Sequence, residues 1–226
     1  MGTPISPARK LLSGGSPPRT GQPVTGAPAI CSRFSQSIPE DALRRRFGLS
    51  GPLPPVPALV RPTDAALVIG SRGQFRLLRF GVLAAWGDTS GTQKPVINAR
   101  SETLRDKPLF RGWLEQRVAV PMAGYDEWQG DDKRLHHVGP HDGEGPLLAA
   151  ALWDGGERFC LLTCAADGAM AEIHHRMPVF LPDAQAADAW LGPYPFAQAQ
   201  GVLRPHSGML HAAPAPVPLP AQGRLL

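Results

Sequence analysis

The 226-residue sequence has little cysteine, and it has no long apolar run. Its three cysteines, Cys31, Cys160 and Cys164, are an odd number. Because no apolar export signal precedes them, we expect reduced thiols in a cytoplasmic protein. No stretch approaches the roughly 20 apolar residues that a membrane-spanning helix needs, so we expect no membrane association.

The sequence also lacks a strong excess of charge. The formal net charge is +4, and residues 1–30 hold three basic residues and no acidic one, which leaves +1 for the remainder. A nucleic-acid partner would therefore have to be bound by a local basic patch.

Several common site motifs are missing as well. There is no glycine-rich phosphate loop and no serine nucleophile elbow. The residues that could serve as metal ligands do not have a recognisable metal-ligand spacing. They are His136, His137, His141, Cys160 and Cys164. We expect neither a metal nor another cofactor.

The distribution of glycine and proline indicates one domain with two tails. Residues 1–30 are rich in both and show no apolar periodicity, so we predict a disordered leader. From Ala212 to Leu226, alternating alanine and proline predict a disordered, polyproline-like tail. The globular domain should cover residues 31–211.

Short apolar runs separated by turn residues predict an α+β domain with a mainly antiparallel, barrel-like β-sheet core and a few short helices. Gln129 to Gly145 is polar and predicts a long hairpin loop. A helix capped by Ser37 should reach about Phe47, and another should follow Asp183. The predicted strands lie at about 58–61, 65–69, 75–80, 117–121, 147–153, 158–164 and 179–181.

Four polar residues lie in apolar or turn contexts: Cys31, Asn98, Glu127 and His174. Cys31 stands at the first position expected to be ordered. As a chain terminus it would carry a thiol and an α-amine, which can attack one aldehyde carbon to give an imine and then a five-membered sulfur–nitrogen ring.

The environments of Glu127 and His174 leave alternatives open. Aromatic neighbours of Glu127 would raise its carboxyl pKa by desolvation, but a strand-end glutamate facing water fits the pattern equally well. His174 and His175 should point to different sides of an extended chain, so one histidine at most would face a site.

Four blocks carry a resemblance to a known family. They are Cys31-Ser32-Arg33-Phe34, Asn98-Ala99-Arg100-Ser101-Glu102-Thr103, Gly124-Tyr125-Asp126-Glu127-Trp128 and His174-His175-Arg176-Met177-Pro178. In order and approximate spacing they resemble the SOS-response-associated peptidase (SRAP) family, from Cys31 to about His211.

The resemblance implies a protein that crosslinks to abasic sites in single-stranded DNA and acts as a nucleoid-associated monomer. It implies that Cys31 becomes N-terminal by autocleavage and forms a thiazolidine with the ring-opened sugar. Asn98 would orient the cysteine, Glu127 would transfer protons and His174 would open the sugar ring. The implied DNA-binding residues, including candidate base-stacking aromatics, are Arg33, Phe34, Pro62, Phe80, Trp86, Arg100 and Arg176.

The sequence departs from the family pattern at three places. Ser32 replaces a glycine, and Asp126 replaces a tyrosine, where its charge could disturb the pKa of Glu127. Ile30 precedes the cysteine, so either the leader is cleaved, or translation starts further downstream, or the chain binds single-stranded DNA without crosslinking. A cysteine peptidase acting on other proteins is a further alternative.

Overall fold

The computed structural model describes residues 30–84, 94–130, 134–141 and 144–215. Within them the strands are β1 (Arg33–Ser35), β2 (Leu59–Val60), β3 (Ala65–Ile69), β4 (Phe75–Phe80), β5 (Asn98–Arg100), β6 (Arg117–Met122), β7 (Gly124–Gln129), β8 (Arg134–Pro140), β9 (Leu147–Trp153), β10 (Arg158–Ala165), β11 (Arg176–Pro178) and β12 (Leu210–Pro214). The helices are α1 (Glu40–Phe47), α2 (Pro108–Arg111), α3 (Gly168–Ile173), α4 (Ala184–Leu191) and α5 (Phe196–Ala199). Short 3₁₀ helices cover Ser71–Gly73, Ser101–Thr103, Gln200–Val202 and Ser207–Met209.

Five strands close into a barrel. β10 pairs with β9, β9 with β6, β6 with β3 and β3 with β4, all antiparallel, and a parallel pairing of β4 with β10 completes the ring. β5 and β11 also pair with β10. The prediction of an α+β fold with a barrel-like, mainly antiparallel core is thus confirmed, and closure leaves few exposed sheet edges.

A second sheet has the strand order β12-β8-β7-β1-β2. β1 lies antiparallel between β7 and β2, with Phe34 opposite Tyr125 on one side and Val60 on the other. This sheet therefore fixes the chain just after Cys31 against the strand that carries Glu127.

Most predicted strands are present, and the long apolar run of β9 is almost completely buried. Cys160 and Cys164 lie on β10 as free, buried thiols. The capping prediction is wrong, because α1 begins after Pro39 and has no side-chain cap among the described residues. Its basic residues Arg44 and Arg45 pair instead with Glu40 and Asp41 one turn earlier.

Two segments predicted to be irregular form strands. The polar stretch 129–145 contains β8, whose Val138 and His136 are buried although its composition is polar. The predicted tail from Ala212 begins inside β12, which pairs with β8, so the ordered domain continues beyond residue 211. Proline at the end of β12 is tolerated because β12 is an edge strand.

Ile30, the last residue of the predicted leader, is buried in the core. The predicted disorder of 1–29 and 216–226 lies outside the described residues. No described helix has the length and apolarity to cross a membrane.

A buried side chain joins the two sheets. Gln36, just after β1, donates from Nε2 to the carbonyls of Leu67 and Pro121, at 2.9 and 3.0 Å, and its Oε1 accepts the N–H of Leu67 at 2.9 Å. β3 and β6 pair directly only at Ile69 and Ala119. Gln36 therefore satisfies backbone groups that strand pairing leaves open.

We predict that Gln36→Leu lowers the free energy of unfolding by at least about 2 kcal/mol, because it leaves three buried backbone groups without partners. Urea unfolding followed by circular dichroism measures this loss. Gln200→Leu, which alters an exposed amide, is the matched control and should change stability by less than about 0.5 kcal/mol. Equal losses in the two variants would contradict the role given to Gln36.

Candidate active site

The candidate site surrounds the peptide bond between Ile30 and Cys31. The N–H of Cys31 donates to Oε2 of Glu127 at 3.0 Å. On the other side of the same bond, Nδ2 of Asn98 donates to the carbonyl oxygen of Ile30. One polar side chain thus holds each half of this peptide group.

Strand pairing brings these residues together. β1 and β7 pair with Arg33 opposite Asp126, which places Cys31 near Glu127 across the same pair of strands. Asn98 is the first residue of β5, which β10 holds in parallel register. The two sheets therefore contribute one side chain each.

The backbone of Cys31 has an unusual conformation. Its φ of 43° lies in the left-handed region, which costs a residue with a β-carbon roughly 1–2 kcal/mol. The residue is also completely buried. A strained, buried and polar-bonded peptide link is typical of a functional site.

Burial changes the proton chemistry of the cluster. Glu127 is 2% exposed, and burial raises the pKa of its carboxyl to about 7, although hydrogen bonds from the N–H groups of Cys31 and Trp128 partly oppose the shift. Burial, followed by the charges of Glu127 and Asp126, raises the pKa of the Cys31 thiol well above its ordinary value. The thiol is therefore protonated near neutral pH, and Glu127 can accept or donate a proton.

Asn98 has an unused acceptor. Its Oδ1 is buried and has no hydrogen-bond partner among the described residues. Buried polar atoms are nearly always paired, so this oxygen is a candidate contact for a bound hydroxyl or amine.

His174 lies at the C-terminal end of α3. Its Nδ1 accepts the N–H of Arg176 at 3.0 Å, and its ring stacks on that of His175 with centroids 4.3 Å apart. The prediction that the two rings point to different sides is wrong, because the chain bends between α3 and β11. Burial, and then His175, lowers the pKa of His174, so its ring is neutral near pH 7.

The structure does not join His174 directly to the other three residues. Among the described residues, no hydrogen bond links it to Cys31, Asn98 or Glu127. Its helix packs on β7, where the Tyr125 hydroxyl lies 3.9 Å from Sδ of Met170. Three of the four predicted catalytic residues therefore form the cluster, and His174 stands on a neighbouring element.

Phe80, a predicted base-stacking residue, and Phe34, another predicted DNA-binding residue, are not on the surface. Both rings are fully buried, 5.2 Å apart, and Phe80 also stacks on Phe159 at 5.4 Å. They belong to the core because strand alternation turns them inward on β1 and β4. Trp86, the other predicted platform, lies outside the described residues.

The other predicted DNA-binding residues differ in their surroundings. Arg100 is exposed at the end of β5, and Pro62 is half-buried in a turn after β2. Arg176 forms two hydrogen bonds with Glu102, at 2.7 and 2.8 Å, and its side chain is 12% exposed. It therefore ties the segment after Asn98 to the strand after His174, a positioning role that the sequence analysis did not assign.

Asp126 does not act as predicted. It is not among the causes of the raised pKa of Glu127, because alternate side chains of β7 face opposite sides of the sheet. Its carboxylate binds Arg33 and His137 instead. If residues 124–129 are read as a strand, the adjacent side chains of Asp126 and Glu127 are expected on opposite faces of the sheet.

The histidines and cysteines considered as metal ligands are dispersed. Cys160 and Cys164 are in the core, and His137 binds Asp126. In the part of the chain that the structure describes, no three His, Cys, Asp or Glu side chains are grouped as metal ligands would be.

The structure thus combines a closed barrel with a buried cysteine. Asn98 and Glu127 hydrogen-bond to the peptide group that precedes this cysteine, so the class of protein is one whose site is built around a cysteine. The family model described as SOS response associated peptidase (SRAP) matches residues 30–217. The chain belongs to the SRAP family.

Relatives of known name include the abasic site processing protein YoqW of Bacillus subtilis, 31% identical over 182 residues, which cover 73% of this chain and 81% of the relative. The abasic site processing protein YedK of Escherichia coli is 29% identical over 182 residues, covering 72% and 79%. The abasic site processing protein HMCES of Gallus gallus is 28% identical, covering 57% of this chain and 48% of its own.

Solved structures share the fold. A protein from Bordetella bronchiseptica has a TM-score of 0.72 and 25% identity, and the match covers 83% of this chain and 100% of that chain. A phage-related protein from the same organism has a TM-score of 0.65 and 25% identity, covering 82% and 94%.

The raised pKa of Glu127 predicts a pH-dependent stability. The folded chain binds this proton more tightly than the unfolded chain, whose glutamate has a pKa of 4.5. The contribution is complete below pH 4.5 and is lost as pH rises through about 7. Between pH 5 and pH 8, Cys31→Ala should lose about 2 kcal/mol more stability than Cys31→Ala/Glu127→Gln, whose residue 127 cannot ionise.

Urea unfolding of both chains at the two pH values measures this difference, and because residue 31 is alanine in both, they keep the same length, which intact mass verifies. The comparison cancels other titrating groups, because both proteins share them. Parallel pH dependences would show that Glu127 keeps an ordinary pKa.

Proposed function

We propose that this protein processes abasic sites in single-stranded DNA by forming a covalent crosslink through Cys31, after releasing the residues that precede it. Membership of the SRAP family and the names of its relatives support abasic-site processing. The observation that carries the chemistry is the Ile30–Cys31 peptide bond, held by Asn98 on its carbonyl and Glu127 on its N–H.

The first step is cleavage of that bond. Sγ of Cys31 attacks the carbonyl carbon of Ile30, and the thiol proton passes to Glu127 and then to the departing nitrogen. Asn98 stabilises the oxygen on which negative charge develops, as an oxyanion-hole donor does. The carbon–nitrogen bond breaks to leave a thioester, which water hydrolyses to a leader carboxylate and the free thiol.

Cleavage leaves an α-amine beside the thiol and next to Glu127. An α-amine has a reference pKa of about 7.7–8.0, so a substantial fraction is neutral and nucleophilic near pH 7. It attacks the sugar aldehyde at C1′ and loses water to form an imine. The thiol then adds to the same carbon and closes the thiazolidine, with Glu127 transferring the protons.

His174 and Asn98 act on the abasic sugar. The abasic sugar is mostly a closed ring. Because Nδ1 of the neutral His174 ring accepts the Arg176 N–H, its Nε2 carries the proton and can donate it to the ring oxygen as the C1′–O4′ bond breaks, while the C1′ hydroxyl proton passes to water. Once the Ile30 carbonyl has left, the Asn98 amide is available to the sugar, together with the unpaired Oδ1.

Single-stranded DNA fits best, because an enzyme reaches C1′ of a damaged nucleotide more easily outside a duplex. Exposed Arg100, on the same short strand as Asn98, is the candidate contact for a neighbouring phosphate. Since Phe34 and Phe80 are buried, base stacking is not assigned to them.

Intact-mass spectrometry tests the proposal. We predict that the purified protein starts at Cys31 and gains the mass of an oligonucleotide containing one abasic site, less the one water lost on forming the imine. Cys31→Ala should keep its leader and form no adduct. If the wild type keeps Ile30 and its full mass while still binding the oligonucleotide, the protein is a non-covalent binder and the crosslinking proposal fails.

The same assay separates the two steps. Asn98→Ala should release the leader about 10²–10³ times more slowly than the wild type, the usual effect of losing one oxyanion donor. Gln200→Ala removes an exposed amide and is the matched control, which should cleave at the wild-type rate. Unchanged cleavage in Asn98→Ala would remove this residue from the first step.

For His174→Ala we predict normal leader release but delayed adduct formation, about 10²-fold slower, because only the second reaction requires ring opening. Chains that already start at Cys31 are mixed with the abasic oligonucleotide and sampled over time. His211→Ala, which alters an exposed histidine on β12, provides the control. Identical adduct kinetics in the wild type and His174→Ala would exclude the assigned role.

A further inference from the structure

Three charged or titratable side chains form a row across the second sheet. Strand register places Arg33 of β1 opposite Asp126 of β7, and Asp126 opposite His137 of β8. Oδ2 of Asp126 accepts the Nε–H of Arg33 at 2.5 Å, and its Oδ1 accepts from Nδ1 of His137 at 3.0 Å. One carboxylate thus binds both neighbours.

Arg33 is held on a second side as well. Its guanidinium carbon lies 5.0 Å from the ring centroid of Trp128, a cation–π distance. The Arg33 and Asp126 side chains are 27% and 15% exposed, so water screens this pair less than a fully exposed one. The positive charge of Arg33 is therefore largely neutralised, and its guanidinium covers the indole.

This row adjoins the reactive centre. Arg33 lies two residues after Cys31, and Asp126 is one of the charges that raise the pKa of the Cys31 thiol. Although Asp126 and Glu127 face opposite sides of β7, the short separation of Arg33 from Cys31 in the chain puts the row within reach of a DNA strand whose abasic sugar binds at Cys31. Arg33 is a natural phosphate ligand there, because a guanidinium binds carboxylate and phosphate oxygens in the same way.

We propose that Asp126 is a specificity-determining residue that competes with DNA phosphate for Arg33 and so weakens binding to undamaged single-stranded DNA. This inference rests on the proposed function. In the SRAP pattern that the chain resembles, a tyrosine occupies this position, and its neutral side chain would not cancel the charge of Arg33. With Asp126 in place, stable attachment to DNA therefore depends on the covalent step at Cys31.

Fluorescence anisotropy with a labelled oligothymidylate that has no abasic site tests the inference, because it measures binding without crosslinking. Asp126→Asn frees one cation for one phosphate, so the slope of log K against log salt should steepen by about 0.7, which corresponds to about fivefold tighter binding at 0.1 M salt. Asp126→Tyr should show the same direction. Asp188→Asn removes an equal charge on α4 and is the matched control, which should leave the slope unchanged.

Arg33→Gln completes a double-mutant cycle. It should change affinity little in the wild type, where Asp126 already occupies Arg33, and it should abolish the gain in Asp126→Asn. Circular dichroism and thermal melting verify that each variant is folded.

Weaker or unchanged binding by both Asp126 variants overturns the inference, as does a gain that persists without Arg33 or a large loss in Arg33→Gln alone. If the wild type binds and crosslinks normally in these cases, the proposed function stands. If neither the wild type nor any variant binds or crosslinks DNA, the inference and the proposed function fail together.

Discussion

The buried hydrogen bond between the Cys31 N–H and the Glu127 carboxyl is the contact on which the candidate site depends. It exists because β1 and β7 pair in one register, and a slip by one residue would turn Glu127 to the opposite face of the sheet. The same burial that forms this contact raises the pKa of Glu127 to about 7. Sheet register therefore sets the proton chemistry.

The site also depends on the junction of two sheets. Glu127 belongs to the five-stranded sheet, whereas Asn98 belongs to a strand beside the barrel. Gln36 connects these layers through backbone groups of β3 and β6. The Glu102–Arg176 pair fixes the segments that follow Asn98 and His174. Positioning thus comes from motif residues that do not themselves touch the peptide bond.

Prediction from sequence was most successful where apolar runs are long, as in β9 and β10, because burial on both faces requires such composition. It missed β8 and β12, whose histidines, glycine and prolines are typical of loops but are tolerated near a sheet edge. It identified Cys31, Asn98 and Glu127 as residues of one site. It placed Phe34 and Phe80 among the DNA-binding residues, although both are buried, since an aromatic residue suits a core and a DNA-binding site equally well.

The sequence by itself determined a barrel-like sheet, because short apolar runs between turn residues follow from local composition, and its four blocks carried the resemblance to the SRAP family that named the candidate site residues. Only the tertiary structure decided which groups touch the Ile30–Cys31 bond, that His174 stacks on His175, and that Asp126 binds Arg33 instead of perturbing Glu127. Burial, pKa and ion pairing depend on neighbours that are distant in sequence. Those neighbours are set by strand register and packing.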